Sequence, residues 1–121
     1  METDLKKAIM LLKSLIFHYH GLDDEERMLL EKAAKKIDAY DEMLWANDFI
    51  ASDYMSAFER SREFFTKVFP KMKVSDRLKQ LQLVWEDCHR KGYVTESETT
   101  AMLLLAEDWK IEKEFFQIVK S

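Results

Sequence analysis

The chain has 121 residues, of which 47% are hydrophobic and 35% charged, with two glycines, one proline and one cysteine. That length suits a single domain, and one cysteine excludes an internal disulfide or a cysteine zinc cage. Two glycines exclude the glycine-rich phosphate loops of nucleotide-binding folds, and a net charge of −4 argues against wholesale phosphate binding.

Helical periodicity runs almost from end to end, and nothing alternates with period two. In a first helix, Leu5, Ala8, Ile9, Leu12, Leu15, Ile16 and Tyr19 share one face; Thr3 or Asp4 is the expected cap and Gly21 the expected stop. Asp23 with Glu26 reads as a capping box opening a second helix, whose expected buried face is Met28, Leu29, Ala33 and Ile37. A third, shorter helix carries Met43, Leu44, Trp45, Phe49 and Ile50. Ser52 or Asp53 is expected to cap a fourth, with a core of Met55, Phe58, Phe65 and Phe69 and edges at Tyr54 and Phe64. Pro70 is expected to end that helix, because the residue before proline is pushed out of helical geometry.

After a basic connector over 71–74, Ser75 is the expected cap of a fifth helix with Leu78, Leu81, Trp85 and Cys88 on one stripe, ending at Gly92. Thr95 with Glu98 forms a second capping box, opening a sixth helix through Met102, Leu105 and Trp109. A last helix over 112–120 presents Phe115, Phe116 and Val119. The expected fold is therefore all-α, a compact bundle of about seven helices in a single domain over 1–121.

The two glycines carry a repeat. His18-Tyr19-His20-Gly21 and His89-Arg90-Lys91-Gly92 share a histidine three residues before the glycine, and a capping box follows each. Downstream, at an offset of 72, Glu26 matches Glu98, Leu30 matches Met102, Ala34 matches Ala106, Met43 matches Phe115 and Leu44 matches Phe116. Candidate repeats cover about 4–51 and 75–121, a pseudo-duplication. Upstream the match fails, since Leu15 meets Glu86 and Ile16 meets Asp87.

These stretches, 21–26 and 92–98, resemble the TerB-like family of tellurite-resistance proteins, marked by an amphipathic helix, a glycine turn and an acidic capped helix start. The resemblance implies a pseudo-duplicated helical module associated with stress responses and membrane-linked protein complexes. It does not imply an enzyme. The family's aspartate before the glycine is replaced here by His20 and Lys91, so Glu26 and Glu98 alone match its acidic helix-start position.

Candidate sites are few. The run Asp23, Asp24, Glu25, Glu26 offers oxygen ligands to a divalent cation, but acids in a first helical turn also complement the macrodipole. His18 and His89 occupy matching repeat positions and are candidate transition-metal ligands, although the dipole favours histidine in a last turn anyway. The candidate metal set is thus Asp23, Asp24, Glu26, Glu98, His18 and His89. Cys88 and His89 are adjacent, but successive helical residues point about 100° apart, and Cys88 continues a packing stripe. No catalytic constellation stands out.

Charge is uneven. Residues 20–60 hold eleven acids and five bases, whereas 61–93 hold eight bases and four acids. Such a dipole can orient a protein on a partner or let it dock peripherally on an anionic membrane surface; nucleic acid is not the expected partner. The acidic start Met1-Glu2-Thr3-Asp4 lacks the basic region of a secretory signal, and Lys13 interrupts the longest apolar stretch, so a cytoplasmic protein without a membrane span is expected. The leading functional expectation is a non-catalytic protein-interaction module whose surface includes the acidic helix start around 23–26. The alternative is a divalent-metal sensor or buffer.

Overall fold

The computed structural model describes residues 1–20, 22–90 and 92–120, with the His20 side chain left out. The chain is all-α, and no strand occurs among the described residues. Among the described residues seven helices follow in order: α1 Thr3–Phe17, α2 Asp24–Lys36, α3 Tyr40–Ala51, α4 Ala57–Phe65, α5 Val74–His89, α6 Glu96–Asp108 and α7 Glu112–Lys120. Short 3₁₀ turns occupy His18–His20 and Phe69–Lys71. The helices pack as two units, Met1–Phe65 and Thr66–Ser121. No helix is long and apolar enough to cross a membrane among the described residues.

In the first unit α1 is the central element, packed against α2, α3 and α4. Its residues Met10, Leu11, Leu12 and Ile16 are almost completely buried, and so are Leu30 and Ala34 of α2 and Ala46 and Ile50 of α3. The predicted face of α2 is therefore rotated by about one residue. Leu30 and Ala34 point inward and Met28 is 69% exposed. With apolar residues at 28, 29 and 30, three adjacent stripes compete, and tertiary packing selects the one facing α1 and α3.

Helix starts divide into those with strong side-chain caps and those without. Both capping boxes form: Asp23 Oδ1 accepts from the Glu26 N–H at 2.8 Å, and Thr95 Oγ1 accepts from the Glu98 N–H at 3.1 Å. The other expected caps are corrected. α1 starts after Glu2 and α5 after Lys73, neither with a side-chain cap bond, so Thr3 and Ser75 lie inside their helices. Helix α4 starts only at Ala57, because Asp53 closes a turn instead. Its Oδ1 accepts from the Met55 N–H at 3.1 Å and its Oδ2 from the Ser56 hydroxyl at 2.8 Å. Met55 is consequently 96% exposed rather than core. α4 also ends early, at Phe65. Pro70 belongs to the following 3₁₀ turn, where its missing N–H is no loss.

The α2–α3 and α6–α7 connections have the same backbone. Ala39 N–H donates to the Ala34 carbonyl at 2.8 Å; 72 residues later Ile111 N–H donates to the Ala106 carbonyl at 2.9 Å. The intervening residues, Asp38 and Lys110, both have positive φ. Burial follows the same register: Leu30 and Met102, Ala34 and Ala106, and Met43 and Phe115 are buried, while Leu44 and Phe116 are exposed. Gly92 has φ +91°, a conformation glycine adopts at little cost, whereas the expected helix stop at Gly21 lies outside the described residues.

One arginine braces each unit. Arg60 donates to the Phe49 carbonyl at 2.9 Å, the Asp53 carbonyl at 2.8 Å and Ser56 Oγ at 2.8 Å, and its guanidinium lies 4.6 Å from the Phe49 ring centre. These oxygens belong to the exposed end of α3 and the turn after it, which need donors from outside the helix. Arg77 does the same in the second unit, donating to the carbonyls of Met72, Trp109 and Pro70 at 2.9–3.0 Å. There Phe69 stacks on Trp109 with ring centres 4.1 Å apart.

Candidate functional site

His18 ends α1 and begins the 3₁₀ turn. Two open clefts of the first unit meet at this residue. One, of about 270 Å³, has walls from Leu15, Ile50, Ala57 and Phe58; the other, of about 360 Å³, has walls from Leu22, Leu30, Met43 and Leu44. His18 and Tyr54 line both, and their rings form a ridge, 5.9 Å between centres and tilted by 50°. Tyr54 stands on the turn that Asp53 closes and Arg60 braces, and it is 63% exposed. An aromatic side chain is thus held at the surface by a fixed backbone.

The polar groups around the ridge are perturbed in ways the geometry explains. Burial lowers the pKa of His18 below its ordinary value, and the nearby Arg27 charge acts in the same direction, while Asn47 partly opposes them. His18 Nε2 and Asn47 Oδ1 are both buried without a hydrogen bond of regular geometry. Tyr19, edge-on to Phe58 at 6.5 Å, has its pKa raised by burial and by the charge of Glu59. The Ser56 hydroxyl and the Met55 N–H hold Asp53 below the usual carboxylate range.

The residues singled out from the sequence fall in four places. Asp23 and Glu26 face each other in the first capping box, where Glu26 Oε1 also accepts from the Asp23 N–H at 3.2 Å. Asp24 is exposed in the first turn of α2. Glu98 is fully buried, and its Oε1 accepts from the Thr95 N–H at 3.0 Å and the Thr95 hydroxyl at 2.8 Å. His89 turns back on its own helix: Nδ1 donates to the Trp85 carbonyl at 2.8 Å, and the two rings meet edge-on at 4.6 Å. His18, Asp23, Asp24 and Glu26 belong to the first unit and His89 and Glu98 to the second. No group of three or more His, Cys, Asp or Glu is placed to hold a metal ion among the described residues. The positions of His20 and Lys91 as replacements for the family's aspartate lie outside the described side chains.

Cys88 is buried on the stripe with Leu81 and Trp85, which places its thiol in packing. The ridge itself was not visible as a site in the sequence. Asn47 and Tyr54 belong to no periodic stripe, and the available signal was the Asp53–Ser56 spacing, a side-chain-closed turn that lifts residues 54 and 55 out of the core.

No family model, curated protein or solved structure matches the chain.

Proposed function

We propose that this chain is a TerB-like helical module that works by binding another protein and not by catalysis, with the paired clefts around His18 and Tyr54 as its working surface. The observation that carries the reading is the exposure of Tyr54 at 63%, Tyr40 at 58% and Leu44 at 45% around the same clefts. Large apolar side chains grouped beside a concavity lose unfavourable contact with water when a partner covers them. The acidic helix start contributes less directly than its charge suggests, since Asp23 and Glu26 are occupied in capping while Arg27 and Glu31 reach the cleft.

Site-specific photo-crosslinking tests the proposal in the cells that carry the protein. A crosslinking residue in place of Tyr54 gives discrete protein adducts, and the same residue in place of the exposed Phe116 of the second unit gives a different, weaker pattern. Identical patterns at both positions, or none at 54, remove the reading. Calorimetric titration with Ca²⁺, Zn²⁺ and Mg²⁺ addresses metal binding separately: saturable uptake lost on Asp24→Asn would favour the sensor reading.

A further inference from the structure

Resting on the reading of the clefts as an interaction surface, we infer that their occupant is a basic amphipathic helix of a partner protein, placing one apolar anchor in each cleft and lysines or arginines against the rim. Three features select this chemistry.

The first is the division of the surface. Two concavities, each with apolar residues in its walls and both bordered by His18 and Tyr54, suit two anchors close together on one side of the occupant. Residues three or four apart on a helix supply that, with about 5–6 Å between their Cβ atoms.

The second is the backbone. No strand exists among the described residues, so an extended peptide has no sheet edge here to pair with. A helix lying over Leu22, Leu30, Met43 and Leu44 brings its amides already paired and needs no backbone partner from the cleft.

The third is charge. Residues 1–65, the unit that carries both clefts, hold fourteen acids and nine bases. Glu31 and Asp48 line the larger cleft directly, against one cation there, Arg27. A field of that sign attracts a cationic segment and repels phosphate backbones and anionic membranes alike.

The test is selection from a display library of random peptides of about 16 residues, ~24 Å long as helices, against the whole protein. A Leu44→Glu, Tyr54→Ala double variant serves as counter-target; both side chains are exposed, so the fold does not depend on them. Circular dichroism and a urea melt confirm that the variant folds. Peptides lost on the variant are expected to be rich in Lys or Arg, with Leu or aromatic residues at i, i+3 or i, i+4. A synthetic winner is expected to bind about tenfold more weakly after Asp48→Lys, and to weaken between about 0.05 and 0.3 M salt. Variant-sensitive peptides that are acidic or uncharged overturn the inference while leaving the clefts as an interaction surface. A selection that yields no variant-sensitive peptide overturns both.

Discussion

Asp38 and Lys110 occupy the same left-handed backbone position, at φ 54° and 59°, and each precedes an N–H that reaches back five residues to close the preceding helix. Neither is a glycine, although this conformation costs an ordinary residue roughly 1–2 kcal/mol through its Cβ. Lys110→Gly is therefore expected to stabilise the protein by about 0.5–1 kcal/mol, the relief being partly offset by the greater freedom of glycine in the unfolded chain. A lower urea midpoint for the variant would contradict this account of the turn.

Arg60 satisfies two carbonyls and a hydroxyl with one guanidinium. Arg60→Ala leaves these oxygens to water at a partly buried site and is expected to cost about 2–3 kcal/mol. Arg60→Lys is expected to recover less than half, because a single ammonium cannot reach three acceptors arranged around a planar fork. Equal unfolding curves for the lysine variant and the wild type would show that charge alone suffices.

The two capping boxes share a pattern but differ in burial. Asp23→Ala and Thr95→Ala are each expected to cost about 1 kcal/mol. Glu98 is fully buried, whereas Glu26 is partly exposed. Glu98→Ala is therefore expected to exceed Glu26→Ala by about 1 kcal/mol or more, since it leaves a space in the core and removes the acceptor of the part-buried Thr95 N–H. Chemical denaturation of the four variants in parallel decides it.

Burial lowers the pKa of His18 in the folded state from the ordinary value of 6.5. As pH falls through about 6.5, the unfolded chain takes up a proton before the folded one does, so stability drops. The loss continues down to the lowered folded pKa and then levels off. His18→Gln is expected to flatten this limb below about pH 6.5. An unchanged acid limb would place the titration elsewhere.

Much of the fold was legible because helix ends carry local chemistry. The boxes at Asp23–Glu26 and Thr95–Glu98 fixed two helix starts, and the stripe of Leu81, Trp85 and Cys88 identified the inner face of α5. The sequence reading failed where local signals were ambiguous or contradicted by packing. Met28, Leu29 and Leu30 offered three faces, and only contact with α1 and α3 chooses among them. Phe58, Phe65 and Phe69 suggested one long helix, yet α4 stops at Phe65 and Phe69 is used in a separate turn against Trp109. The turns at Asp38 and Lys110 gave no glycine to read. The ridge was the least legible feature. It depends on Tyr54 being raised by a turn and on α1 delivering His18 beside it, an encounter between residues far apart in the chain.

Arg60 holds main-chain oxygens at 49 and 53 and Asp53 accepts from the Met55 N–H, so the turn carrying Tyr54 and Met55 is anchored by contacts that do not involve those two side chains. Those two positions can be randomised as a miniature recognition loop, much as antibody engineers diversify a hypervariable segment on a constant framework. With one thiol, sealed inside α5, such a scaffold needs no oxidative maturation and suits selection inside living bacteria.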